Sequence, residues 1–211
     1  MRYFLFVLLS VLSVDSYAIV NLGNHESETT YIYLCGLTDG FDSVSEKTNH
    51  KILDQIGKEL EIKIIAVPPP KRNPIYHDMF CWPHHDKNEV LETYAYIQQK
   101  IQKTPICGYI GFSNGGFFLL KLAEQQTIEV PIIVIGAGIY ATNTELKNKI
   151  FLLIGDQDIS HHALAKRYHE QTQNTQLDVT LIEYEGNHTI PEIPLKELMR
   201  TSTQRHSCST H

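Results

Sequence analysis

The sequence predicts an α/β protein: one three-layer domain around a mostly parallel central sheet of about six strands. Three observations predict it. Short continuous apolar runs, the pattern of strands buried on both faces, alternate about six times with amphipathic helical patterns. No internal repeat or linker divides the chain. Its 211 residues, 42% of them hydrophobic, suffice for one good core and are short for two.

In chain order, Tyr31 to Cys35 is the first apolar run. Ser43-Val44-Ser45-Glu46 then has the spacing of a capping box, and Ile52, Leu53, Ile56 and Leu60 give the following helix its stripe. Ile62 to Val67 is the second strand, stopped by Pro68-Pro69-Pro70 because proline cannot donate to a ladder. A long loop reaches Lys87, and Val90, Leu91, Tyr94, Ile97 and Ile101 mark a helix. Ile106 to Ile110 is a strand, and a helix runs from Phe117 to Ala123. Ile132 to Ile135 and Ile150 to Ile154 are further buried strands. Ser160 is placed to cap a helix carrying Leu164 and Tyr168. Val179 to Tyr184 is the last strand and Pro194 to Arg200 a final short helix.

The ends read differently from the body. Arg2, the apolar run Tyr3 to Leu12 and the small residues of Ser16-Tyr17-Ala18 have the layout of a secretory signal peptide. The expected organisation is a signal peptide over 1–18, a domain over 19–202 and a polar tail over 203–211. Export out of the cytoplasm follows as an expectation. No later run reaches the roughly 20 apolar residues of a membrane span, so no stable membrane insertion is expected after cleavage. Lys and Arg total 18 against 24 Asp and Glu, a net charge of −6 that argues against nucleic acid as a partner. Of four cysteines, Cys35 and Cys107 sit in apolar runs and read as buried thiols. Cys81 and Cys208 lie in polar segments and are the expected pair if a disulfide forms.

Gly111-Phe112-Ser113-Asn114-Gly115 reads G-x-S-x-G. It follows a buried strand and opens an apolar helix, the setting a nucleophile elbow requires. The base and its orienting acid should follow in the order Ser, acid, His, each just past a strand. Leu152 to Asp158 supplies Asp156 and Asp158, and Glu183 to His188 supplies the histidine. Asp158 is preferred as the acid because the loop has turned back over the sheet edge by that point, while Asp156 is expected to cap the turn. His188 is the base. Two main-chain N–H groups should form an oxyanion hole. Asn114 is one, and Leu37, after the first strand, the other, with Gly36 leaving space for the substrate carbonyl.

These clusters resemble the carboxylesterase and acyl-protein thioesterase branch of the α/β-hydrolases. That branch shows L-H-G-L-G-D, G-F-S-Q-G-G, G-D-x-D and a histidine after the last strand. Here the counterparts are Leu34 to Asp39, Gly111 to Gly116, Gly155 to Asp158 and His188. The resemblance implies hydrolysis of carboxylic esters or thioesters by a Ser113, Asp158, His188 triad, with a small-molecule substrate and no cofactor. Cys35 stands where the family has histidine, Thr38 where it has glycine and Asn114 where it has glutamine. The family's opening antiparallel strands are expected to be shortened or missing, and no cap domain fits.

Phe80 and Trp82, with Tyr76, lie where that family builds its acyl-binding wall. Trp82 is the candidate substrate contact, a buried anchor the alternative. Gly136-x-Gly138-x-x-Ala141 after a strand mimics a dinucleotide fingerprint, but too little chain follows for a crossover helix. His77, His84, His85 and Asp86, or Asp158, His161 and His162, could be read as metal ligands. Neither set has a recognised spacing, and no metal is expected. The alternative function is a hydrolase fold that has lost catalysis and serves as a binding protein.

Overall fold

The computed structural model describes residues 18–40, 42–102, 104–142, 145–203 and 208. The expected signal peptide lies outside these residues except for Ala18, as does the polar tail apart from Thr203 and Cys208.

Seven strands form the central sheet. They are β1 (Val20–Gly23), β2 (Thr30–Leu34), β3 (Lys63–Val67), β6 (Gly108–Phe112), β7 (Ile132–Ile135), β8 (Lys149–Gly155) and β9 (Asp178–Tyr184), with β4 (Lys71–Arg72) and β5 (Phe80–Cys81) in a separate small hairpin. The spatial order is β1-β3-β2-β6-β7-β8-β9. All neighbours are parallel except β1, which runs antiparallel to β3 with Val20 opposite Ala66. The expected six strands therefore become seven, and one opening antiparallel strand is present. Four residues directly after Ile19 form it, too few to show an alternating pattern.

Five helices cover the sheet: α1 (Val44–Glu59), α2 (Lys87–Ile101), α3 (Asn114–Ala123), α4 (Ile159–Thr172) and α5 (Glu192–Thr203). Strict alternation along the strands explains why the apolar runs are unbroken. Ile32, Leu34, Ile65, Val67, Ile132 and Val134 face a core shared with α2, α3 and α4. Tyr31, Tyr33, Ile64, Ala66, Ile133 and Ile135 face the other core, shared with α1 and α5. Each fully buried aliphatic side chain contributes about 1.5–3 kcal/mol. The two apolar faces thus outweigh the few tenths of a kcal/mol at stake in most helix propensities. Among the described residues no helix is long and apolar enough to cross a membrane.

Helix α1 takes only half of its expected capping box. Ser43 Oγ accepts from Glu46 N at 3.2 Å, but the Glu46 carboxylate turns inward to Asn49 and His50. Helix α4 starts earlier than expected: its N-cap is Asp158, not Ser160. The disulfide joins Cys107 to Cys208, while Cys35 and Cys81 are free and buried. The expected Cys81–Cys208 pair is therefore wrong. Cys107 lies just before β6, where Cys208 packs against the α1–α5 core, whereas Cys81 is buried within the β4–β5 hairpin.

Candidate active site

In a parallel sheet the loops after the strands gather at the carboxyl edge. There the loops following β2, β6, β7, β8 and β9 bring the candidate residues together.

Ser113 sits between β6 and α3 at φ 51°, ψ −114°, a left-handed conformation that side chains rarely adopt. Its N–H donates to Ile135 O at 2.8 Å and its carbonyl accepts from Phe117 N at 3.0 Å, so the turn is held from both sides. A Cβ on Gly111 would stand 2.6 Å from Gly115 O, which is why strand and helix can meet here only through glycine. The Ser113 side chain makes no capping bond to its helix.

Main-chain donors surround this serine. Ser113, Gly115 and Thr38 N–H groups are all spent, on Ile135, Cys35 and Phe80 carbonyls. Among the described residues no hydrogen bond takes the N–H of Leu37 or of Asn114. Gly36 abuts the serine, since a Cβ there would lie 3.3 Å from Ser113 Cβ. Thr38 exchanges main-chain bonds with Phe80 at 3.2 and 2.6 Å and accepts from Gly40 N through Oγ1. These bonds tie the Leu37 loop to the long loop.

Asn114 does more than its backbone suggested. Its Oδ1 accepts from Trp82 N at 2.6 Å, and its Nδ2 donates to Trp82 O at 3.3 Å and approaches His84 Nδ1 at 3.2 Å. The Trp82 indole is fully buried and packs on Phe118 at 5.7 Å, which favours the buried-anchor alternative. Phe80 is a second buried anchor, and Tyr76 is exposed. Between this loop and Asn114 lies a cavity of about 320 Å³, lined among others by Lys71, Ile75, Pro83 and His84, with Trp82 behind it. Burial pushes the His84 imidazole below its ordinary pKa.

The other half of the site is built from side chains. Asp158 Oδ2 and His188 Nδ1 are 2.5 Å apart, and His161 Nδ1 meets Asp158 Oδ1 at 2.8 Å. Burial raises the Asp158 carboxyl, but the two imidazoles outweigh it and hold the group below its usual range. His188 stacks on His161 at 4.5 Å and lies 5.0 Å from Phe112, the neighbour of Ser113. A Cβ on Gly136 would meet the His188 ring at 2.8 Å. The glycine loop that mimicked a dinucleotide fingerprint is thus the floor under the His188 ring. No helix opens at it among the described residues.

Asp156 bonds across to the next loop rather than capping its own turn: its Oδ1 accepts from Gly186 N at 3.0 Å. Tyr184 Oη lies against the Asn187 and Thr189 carbonyls on either side of His188. Both contacts steady the histidine loop. The described hydrogen bonds join His188 to Asp158, and none joins it to Ser113 Oγ; catalytic contacts of this kind often tighten only when substrate binds.

Sequence reasoning missed the part of His161, which it grouped with His162 as a doubtful metal ligand. His162 points away, to Glu183 at 2.5 Å. The signal was the i, i+3 spacing from Asp158 on the first turn of α4. Ligand atoms of Asp158, His161 and His188 lie within 4.8 Å of one another, a donor set a divalent metal could use. Both carboxylate oxygens are already engaged by imidazoles. Of the other proposed set, Asp86 instead caps α2 by accepting from Asn88 and Glu89 N–H groups.

No protein-family model and no curated protein sequence matches the chain. Solved structures do. A carboxylesterase from Mesorhizobium loti superposes with a TM-score of 0.65 at 15% identity, over 86% of this chain and 90% of that one. The carboxylesterase of Bacillus cereus gives 0.60 at 15%, over 88% and 93%. Acyl-protein thioesterase 2 of Zea mays gives 0.62 at 14%, over 88% and 99%. At such identities the likeness is one of fold, and the fold is that of the α/β-hydrolases.

Proposed function

We propose that this α/β-hydrolase-fold protein is a serine hydrolase that cleaves carboxylic esters or thioesters through an acyl-enzyme. The observation that carries the reading is the strained left-handed Ser113, set at the same sheet edge as a histidine already held by a carboxylate.

In this mechanism Ser113 Oγ attacks the carbonyl carbon while neutral His188 takes its proton. Asp158 accepts from His188 Nδ1–H, which leaves the other ring nitrogen to act as base. The oxyanion settles against Leu37 and Asn114 N–H, donors that no hydrogen bond consumes among the described residues. His188 then protonates the departing alcohol or thiol. Water, deprotonated by the same histidine, releases the acid and restores Ser113. A pinned loop with no cap domain over the site favours short acyl groups.

We place the protein outside the cytoplasm. The signal-peptide pattern of residues 1–18 supports export, and the Cys107–Cys208 disulfide fits an oxidising compartment.

Hydrolysis of nitrophenyl esters of increasing acyl length, with fluorophosphonate labelling, tests the reaction. Wild type should turn over short esters and take the label at Ser113, and Ser113→Ala should do neither. A folded wild type that does neither would be a binding protein on a hydrolase fold. Mass spectrometry of exported protein tests the location; a soluble cytosolic pool keeping Met1 would refute it.

A further inference from the structure

Aspartate is among the best helix N-caps, because its side chain accepts from the free N–H groups of the first turn. Asp158 stands at the N-cap of α4 and makes no such bond. Its φ of −86° and ψ of 66° also depart from the extended conformation usual for a capping residue. Neither carboxylate oxygen takes a main-chain N–H of the helix: Oδ2 meets His188, and Oδ1 meets the side chain of His161. Among the described residues no hydrogen bond takes the N–H groups of Ile159, Ser160 and His161, so a carboxylate beside them has an alternative rotamer available, and something must oppose it.

His161 is the group in place to do so. It lies on the first turn of α4, with its side chain 28% exposed. Phe117 of the elbow helix packs on it at 5.8 Å, and the His188 ring stacks on it at 4.5 Å and 25°. The imidazole is therefore held by an element other than its own. An ionised carboxylate only accepts, so each histidine presents Nδ1–H to it.

We propose that His161 is a positioning residue. Its Nδ1–H holds the second oxygen of Asp158, which keeps the carboxylate from swinging back to cap α4 and keeps it facing His188. This rests on the reading of Ser113, His188 and Asp158 as catalytic. His161 exchanges no hydrogen bond with Ser113 or His188 among the described residues; it acts through Asp158.

The test compares wild type, His161→Ala and His161→Asn on nitrophenyl acetate, with chelator present throughout, together with melting temperatures and the downfield proton spectrum. In wild type the His188 Nδ1–H shared with Asp158 should give a downfield resonance. His161→Ala should lose or broaden it and lower kcat about 10- to 100-fold, part of the roughly 10⁴ that losing the acid's function costs in the serine-protease template. KM should hold within about twofold, since uniform binding is untouched. Melting temperature should hold or rise, because Asp158 becomes free to cap. His161→Asn, which keeps an N–H donor, should recover most of kcat and the resonance.

A wild-type kcat in His161→Ala would overturn the proposal. So would a loss that His161→Asn does not recover while both variants melt early, since the residue would then be structural. Activity restored to chelated wild type only by added zinc would make His161 a ligand and overturn it as well. If wild type neither turns over an ester nor takes a fluorophosphonate, the catalytic reading fails separately. The proton spectrum then decides positioning alone: the resonance surviving in His161→Ala refutes it, and its loss there with return in His161→Asn supports it.

Discussion

Around Ser113 the hydrogen-bonding groups are main chain, whereas around His188 they are side chains. Leu37 and Asn114 offer N–H groups whose places are set mainly by bonds between backbones, Thr38 with Phe80 and Gly115 with Cys35, with one side chain, the Asn114 amide, clamping the Trp82 main chain. His188 is placed by Asp158, and Asp158 by His161. Main-chain donors are the same for every residue type, so the first half depends little on which side chains stand at Cys35 and Thr38. The second half depends on particular functional groups and has no such freedom.

Ser113 belongs to both halves, and its loss should be the largest effect. Ser113→Ala should lower kcat on nitrophenyl esters by about 10⁴- to 10⁶-fold, with the melting curve unchanged. A modest loss would mean that neither half serves a nucleophile.

Within the side-chain half, Asp158→Asn should cost about 10⁴ in kcat because the amide no longer fixes the reactive tautomer. Asp156→Asn should cost about tenfold or less: its oxygen can still accept from Gly186 N, and only the histidine loop depends on it. Equal or reversed effects would show that the wrong carboxylate has been assigned.

The main-chain half is probed by Asn114→Ala, which keeps the N–H donor and removes the clamp on Trp82. Trp82 N–H is then left buried and unpaired, at a cost of about 1–3 kcal/mol. That is a drop of several degrees in melting temperature for a domain of this size. Activity should fall about tenfold through the shifted Leu37 loop, with fluorophosphonate labelling retained. An intact kcat in a destabilised variant would separate the long loop from the oxyanion donors.

The smallest effect sets one buried carboxylate of each half against the other. Asp158 is held below its ordinary range, so the stability its ion pairs contribute is present above that range and is lost as pH falls through its depressed value. Glu46, buried on α1 beside Tyr33 and His50, is pushed up by burial. Its ionisation therefore costs stability as pH rises from the ordinary carboxylate range through its raised value. Glu46→Gln should melt at or slightly above wild type near neutral pH and lose that advantage in acid. Asp158→Asn should melt below wild type near neutral pH, and the gap should close in acid. Melting curves between pH 3 and 8 check both signs, and parallel behaviour would dissolve the contrast.

Legibility in the sequence followed the same division. That Ser113, Asp158 and His188 gather at one sheet edge was legible because motif, order and strand ends restrict where these residues stand. The buried runs of β2, β3, β6, β7 and β8 showed because both faces of each strand are covered, while β9, a half-exposed edge strand, showed through its apolar run alone. Strand β1 did not, being four residues at an edge. His161 and the Asn114 clamp were hidden because each depends on a neighbour brought in by another element: Phe117 and His188 for the first, Trp82 for the second. The cysteine pairing failed for a related reason. Local polarity describes a residue's sequence neighbours, while a disulfide is decided by which segments end side by side.

The Cys107–Cys208 bond closes a covalent ring over a sequence separation of 101. Ser113, Asp158 and His188 all lie inside it, and the chain from Val20 to Ile106 hangs outside. Closing a ring of this size removes chain entropy worth about 4.7 kcal/mol from the unfolded state. It also changes what a protease can accomplish. One cut in the irregular chain between β7 and β8 would leave serine and histidine on separate peptides that remain joined through the bridge. Such a nicked molecule would run as a single species until reduced, and its two pieces could find each other again after unfolding without a search through solution.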